Sequence, residues 1–149
     1  MKKTVTWILI ANGAQARVVE HLGPGKGLRA VEGLDFAQPA LQAQEIVTDK
    51  PGRGFSSSGP ARSAMEPRTD PVDHREAEFA KSAAERMARH HASGDFDRLV
   101  IAAAPIALGN IRKAMPSRLR EAVIAELDKD LTNTPIAQLD KHFDGIFAV

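Results

Sequence analysis

The sequence predicts an α/β protein built on one mixed sheet of five strands. Three strand-like segments, separated by short turns, open the chain. Two further apolar segments alternate with helical patterns in the second half. Antiparallel strands followed by α/β units combine into a single sheet with helices packed on its faces. The length of 149 residues predicts a single domain over residues 1–149.

The first two strands are predicted from apolar runs on either side of a turn. Residues 5–11 are β-branched and apolar, which is typical of a central strand. Asn12-Gly13 is a turn signal, and residues 15–21 return as the second strand. A signal peptide is the alternative, because two lysines precede the run and "AQA" follows it. We prefer the strand, because the run is short and contains two threonines.

A third strand, a short helix and a long loop are predicted next. Residues 28–34 follow the glycine-rich turn "GPGKG" and form the third strand. Residues 39–47 have the spacing of a short helix. The segment at about 48–72 is rich in proline, glycine and serine and has no periodicity, which predicts a long, flexible, basic loop. The expected inner face of the third strand comprises Leu28, Ala30 and Glu32.

A long helix follows this loop. Asp73 is predicted as its N-cap, and Glu76 three residues later completes a capping-box pattern. Gly94 is predicted to end the helix. The apolar residues have helical spacing and therefore predict a buried face. They are Ala77, Phe79, Ala80, Ala83, Ala84 and Met87.

Two strands and two helices complete the predicted fold. Residues 98–104 are apolar after Arg98, which is typical of a strand buried on both faces. A helix over 105–115 and a strand over 122–128 follow, and a last helix begins after a Thr134 cap. The strand is expected to place Val123, Ala125 and Leu127 on one face, and the last helix Ile136, Leu139 and Phe143.

The connections predict the strand order 3-2-1-4-5. Right-handed crossovers make strands one, four and five parallel neighbours. This order resembles that of ribonuclease-H-like folds and of the middle domain of release factors. Strands one, three, four and five then point the same way. Ligands of open α/β sheets bind at the carboxyl ends of the strands, which makes that edge the expected site.

The candidate site residues form two groups. The loop contributes possible contacts to a large partner, namely Lys50, Arg53, Ser56, Arg62 and Arg68. The carboxyl edge of the sheet contributes polar side chains at the ends of strands and helices, namely Asn12, His74, Asn110, Lys129 and Asp130. The expected partner is a macromolecule, with RNA or the ribosome as specific alternatives. The sequence leaves the oligomeric state open.

Composition restricts the chemistry. The net charge is +1, so any electrostatic role depends on local clusters of charge. There is no cysteine, which excludes disulfides and thiolate chemistry. No apolar run reaches the length of a membrane span. Asp128 and Asp130 suggest a metal-dependent hydrolase as one alternative, but we interpret both as turn and cap residues. We therefore expect no catalytic residue, metal or cofactor.

Several segments resemble the bacterial host attachment protein family. They are "WILIANGAQARVVE", "TDKPGRGFSS", "DHREAEFAKSAAERM", "LVIAAAPIALGNIR" and "AELDKDLTNTP". The resemblance extends from about Thr4 to Phe143. It implies a protein required for attachment to host cells. We expect a non-enzymatic cytoplasmic member that acts indirectly, through a macromolecular partner.

A more distant resemblance is to the middle domain of eukaryotic and archaeal peptide-chain release factors. Their loop before a long helix carries Gly-Arg-Gly-Gly-Gln. Gly52-Arg53-Gly54 occupies a comparable place here. Phe55 stands at the position of the last glycine of this motif, and Ser56 stands at the position of its glutamine. The resemblance thus implies contact with RNA or the ribosome as an alternative function, without peptide release.

Overall fold

The computed structural model describes residues 4–38 and 71–146 and confirms the predicted sheet. The strand order is β3-β2-β1-β4-β5. β1 pairs antiparallel with β2 and parallel with β4, and β5 is parallel to β4. The strands are β1 (Thr6–Ala11), β2 (Gln15–His21), β3 (Leu28–Ala37), β4 (Arg98–Ala103) and β5 (Val123–Leu127). The helix predicted over 39–47 and the loop up to residue 70 lie outside the described residues.

Four α-helices and a 3-10 helix are described. They are α1 (Pro71–Ala92), α2 (Pro105–Ala114), α3 (Ser117–Ala122), the 3-10 helix (Ile136–Gln138) and α4 (Asp140–Phe143). α3 was not predicted. The predicted last helix is divided into the 3-10 turn and α4, and no side chain caps its start, so the Thr134 cap was wrong. None of these helices has the length and apolarity needed to cross a membrane.

The start of α1 differs from the prediction. The first helical residue is Pro71, so Asp73 lies inside the first turn and is not the N-cap. Proline is favoured at this position because its fixed φ suits the helix and its missing N–H needs no partner. Ala77 is exposed, and the other predicted inner residues are buried. The predicted end is confirmed: Gly94 has φ +80° and its N–H donates to the carbonyl of His91.

Two hydrophobic layers cover the sheet. Helices α1, α2 and α3 pack on one face, against Trp7 and Leu9 of β1. The C-terminal segment packs on the other face, where Leu139 and Phe143 meet Ile8. This division follows from the strand period of two, which sends successive side chains to opposite faces. All residues of β1 are consequently buried.

A bulge changes the inner face of β3. Arg17 pairs with Asp35 but Val19 pairs with Ala30, so β3 contains extra residues between these pairs. Gly33 lies in this stretch with φ +83°, a conformation that suits glycine. The expected face was wrong, because the extra residues break the alternation. Ala30 and Glu32 are exposed, whereas Leu28 is half-buried and Leu34 is buried.

A second irregularity changes the faces of β5. Val123 pairs with Leu99 and Ala125 with Val100, so Ile124 has no partner on β4. As a result, Val123 packs with the α1–α3 layer, while Ala125 packs with the C-terminal layer. The prediction that alternate residues of this strand share one face was wrong, because the unpaired residue reverses the alternation.

Truncation of Leu139 tests the contribution of the C-terminal layer. Leu139 is fully buried, so Leu139→Ala is expected to lower the free energy of unfolding by about 2 to 5 kcal/mol. Urea unfolding can be followed by the emission of Trp7, the only tryptophan in a chain without tyrosine. Lys141→Ala, at an exposed position of α4, is the matched control. Equal stability of the two variants would contradict this packing.

Candidate functional site

The carboxyl edge of the sheet brings Asn12, Asp130 and Thr132 together in what we term the strand-end corner. The Asn12 Nδ2 donates to Asp130 Oδ2 at 3.1 Å and to Thr132 Oγ1 at 3.2 Å. The Asn12 Oδ1 accepts the backbone N–H groups of Ala14 at 2.8 Å and Gln15 at 2.9 Å. Asn12 thus shapes the β1–β2 turn and ties it to the segment after β5. Its amide has little hydrogen-bonding capacity left for a ligand.

Asp130 is held by neighbours as a turn residue. Its Oδ1 accepts the Thr132 N–H at 3.0 Å and the Thr132 hydroxyl at 2.6 Å. Partial burial raises the pKa of the Asp130 carboxyl, but the hydrogen bonds from Thr132 and Asn12 outweigh this and bring its pKa below 3.8. The group is therefore a carboxylate at neutral pH, with both oxygens engaged.

Arg17 is a site residue that the sequence reasoning missed. From β2 its Nη2 donates to the carbonyl oxygens of Leu131, at 2.7 Å, and Thr134. Its Nε is buried without a hydrogen-bond partner. A signal was present, because the alternation of β2 places a cation on the same face as Val19, which is fully buried. Arg17 and Asn12 together fasten the segment that follows β5.

The other predicted edge residues do not join the corner. Asn110 is half-buried on α2 and Lys129 is exposed, and neither hydrogen-bonds to Asn12 or Asp130. Asp128 is also exposed. His74 lies in the first turn of α1 and lines a separate cavity. The predicted loop residues Lys50, Arg53, Ser56, Arg62 and Arg68 lie outside the described residues.

This cavity, which we term the flank cavity, lies between the end of β3 and α1. It has a volume of about 320 Å³, and Gln38 and His74 both line it. The Arg86 guanidinium lies over the Phe36 ring, 4.1 Å from its centroid. Arg75 adds a second cation to the lining. Because Gln38 and His74 lie on either side of the undescribed segment 39–70 in the sequence, the cavity lies where that segment joins the rest of the chain.

The β1–β2 turn is enclosed by the same elements. The Gln38 Nε2 donates to the carbonyl of Gly13 at 2.9 Å. The Glu76 side chain passes so close to Gly13 that a Cβ there would lie 2.5 Å from the Glu76 Cδ. Glu76 therefore packs on the turn, and the expected capping box is not formed. Glycine permits this close approach of the Glu76 side chain, and the backbone φ at Gly13 is not positive.

The described residues contain no metal centre. In residues 4–38 and 71–146, no three histidine, aspartate or glutamate side chains converge in a manner that would hold a metal ion. Asp130 is bonded to Thr132 and Asn12, and Asp128 is not part of this network. A hydrolytic two-metal site needs several carboxylates that converge.

Comparison with known families identifies a match over most of the chain. The model of a family described as "Protein required for attachment to host cells" matches residues 7–143. The match covers both layers of the fold, from β1 to the end of α4. No curated protein matches the chain.

Asp130→Asn tests the role of the corner carboxylate. At neutral pH the variant is expected to be less stable by about 0.5 to 1.5 kcal/mol, because the amide nitrogen faces another donor. The pKa of Asp130 in the folded chain lies below 3.8, its ordinary value. On acidification, the Asp130 carboxyl of the unfolded chain therefore binds its proton at a higher pH than that of the folded chain. The stabilisation is therefore lost as the pH falls from about 5 through and below the folded pKa. Urea titrations across this range measure the difference in the free energy of unfolding between the unaltered chain and Asp130→Asn. Asp128→Asn, which changes a carboxylate outside the hydrogen-bond network, is the control. A difference that does not change with pH would contradict the assignment.

A double-mutant cycle tests the contact between Gly13 and Glu76. Gly13→Ala is expected to cost about 0.5 to 1.5 kcal/mol of stability, because the new Cβ forces the flexible end of the Glu76 side chain into a less favourable rotamer. Addition of Glu76→Ala should remove most of this cost. Addition of Glu78→Ala, at an exposed position of the same helix, should not. Equal rescue by both variants would show that the cost has another origin.

Proposed function

The chain belongs to the family of proteins required for attachment to host cells, and we propose that it serves attachment indirectly, as a non-enzymatic cytoplasmic protein that binds a macromolecular partner. The hydrogen bonding of the strand-end corner carries this proposal. Catalytic groups of an open α/β sheet are expected at this edge. Here the polar side chains at the edge bond to one another and to the backbone.

Hydrogen bonds within the chain occupy most of the acceptor sites of the corner carboxylate. A general base needs a lone pair within hydrogen-bond reach of a substrate proton. Both oxygens of Asp130 accept hydrogen bonds within the chain, and its lowered pKa makes it a weak base. His74, the histidine predicted at this edge, lines the flank cavity and is not part of the hydrogen bonds of the corner. A metal-dependent hydrolase is not supported either, because no cluster of three potential metal ligands is found among the described residues.

Binding of RNA or the ribosome is the second candidate function. It is favoured by the excess of cations in the flank cavity, which Arg75 and Arg86 line together with one carboxylate, Glu78. Phosphate groups are recognised by such clusters of arginine and lysine. The resemblance of Gly52-Arg53-Gly54 to the release-factor loop supports the same partner. The release-factor motif has a glutamine at the position that Ser56 occupies here, and this difference argues against peptide release.

Co-sedimentation with ribosomes tests this second candidate. If it is correct, the protein should pellet with ribosomes at low salt, and binding should weaken by about tenfold or more over a severalfold rise in salt. Replacement of Lys50, Arg53, Arg62 and Arg68 by alanine should abolish pelleting. The matched control replaces the exposed cations Lys81, Arg89, Arg118 and Lys141 and removes the same charge.

The outcomes separate the two candidates. Pelleting that both quadruple variants lose equally would indicate nonspecific attraction and overturn the RNA alternative. Capture of a protein partner that depends on the loop cations, without ribosomes, would support indirect action through that partner. Fractionation tests the location: recovery of the native protein outside the cells would overturn the cytoplasmic assignment.

A further inference from the structure

A second cavity, which we term the edge groove, lies beside β5 at the opposite end of the sheet from β3. It has a volume of about 540 Å³ and is bounded by the end of α2, by α3 and by β5. The residues that matter here are Arg112, Lys113, Met115, Arg120, Ile124 and Glu126. None of them belongs to the strand-end corner or to the flank cavity, so this surface is independent of the function proposed above.

The charges of the edge groove favour an anionic ligand. Three cations and one carboxylate line it. The carboxylate is already engaged, because Glu126 Oε1 accepts from Arg112 Nε at 2.7 Å and from Arg112 Nη2 at 2.5 Å. Arg120 Nη2 donates to the Arg112 carbonyl at 2.9 Å, which holds the two arginines side by side. Lys113 has no charged partner among the described residues. Within residues 4–38 and 71–146, Lys113 and Arg120 therefore have no carboxylate partner.

The wall of the groove is an edge strand. β5 pairs with β4 on one side, and the described sheet ends at its other side. An edge strand presents backbone N–H and C=O groups that can pair with another chain. The surface around it is apolar: Met115, Val123 and Ala125 line the groove, and Ile124 is 41% exposed. Because the register shift lies at Ile124, regular pairing is restricted to the residues that follow it.

We propose that the edge groove binds an extended acidic peptide segment of a partner protein, which lies beside β5 as an added strand. Backbone pairing with Ala125–Leu127 would orient the peptide, and its carboxylates would face Lys113 and Arg120. A second copy of this chain fits less well, because antiparallel pairing of two β5 strands would bring the cations of both grooves together. Nucleic acid fits less well because no aromatic side chain lines the groove for base stacking.

Binding of model peptides to the full chain tests the proposal by fluorescence anisotropy. The probe is a labelled peptide of about ten residues that alternates valine and glutamate, long enough to span the roughly 17 Å of a five-residue strand. We expect saturable binding that weakens as salt screens the charges. A peptide that alternates valine and lysine should not bind. The valine–glutamate peptide with alternate backbone nitrogens methylated should bind more weakly, because it cannot pair fully.

Variants locate the site. Lys113→Glu and Arg120→Glu should each weaken binding by about threefold to tenfold, as expected for reversal of one exposed charge. Arg118→Glu is the matched control, since Arg118 is an exposed cation of α3 that does not line the groove. It should bind almost as well as the unaltered chain. Unchanged Trp7 emission in every variant would show that the fold is retained.

The contrary outcomes are equally specific. Equal binding of the lysine peptide, or an equal loss in all three charge variants, would overturn the proposal. Full binding of the methylated peptide would overturn strand addition. Competition by an oligouridylate whose own binding requires Lys113 and Arg120 would assign the groove to nucleic acid instead. Concentration-dependent dimerisation blocked by the peptide would assign it to a second copy of this chain.

Discussion

The burial of β1 on both faces is the constraint on which the rest of the structure depends. All six of its residues are buried, and they alternate between two hydrophobic layers. Such a strand needs a cover on each side, because apolar surface left in water would forfeit most of the favourable free energy of folding. The long helix α1 with α2 and α3 provides one cover. The second is a short segment that contributes Leu131, Leu139 and Phe143.

The polar contacts at the carboxyl edge compensate for the short secondary structure of the second layer. A 3-10 turn and a one-turn helix have too few internal hydrogen bonds to hold their own position. Asn12 and Arg17 supply the missing attachment, and each reaches across the sheet edge to the segment after β5. The polar groups that an α/β enzyme would use for chemistry are thus used here to hold a layer in place. This structural use is the observation on which the proposed non-enzymatic role rests.

The two ends of the sheet offer different surfaces for partners. The flank cavity adjoins β3 and combines cations with the tilted ring pair of Phe36 and Phe79. The edge groove adjoins β5 and combines cations with a free strand edge and an apolar floor. The strand order places three strands between β3 and β5. The two surfaces share no lining residue, so a substitution in one leaves the lining of the other unchanged.

The sequence by itself determined the strand order, the turn at Asn12-Gly13 and the doubly buried β4, because alternation, turn residues and crossover handedness are local or general properties. It also placed Asn12 and Asp130 at one edge. Only the tertiary structure decided that these two bond to each other across 118 positions of the chain, and that Arg17 bonds the carbonyl of Leu131 across 114. The tertiary structure also decided which faces the residues of β3 and β5 occupy, and where the two cavities lie. Each depends on how separate segments meet, since a register shift or a long-range hydrogen bond is set by the partner segment and leaves little trace in the local pattern.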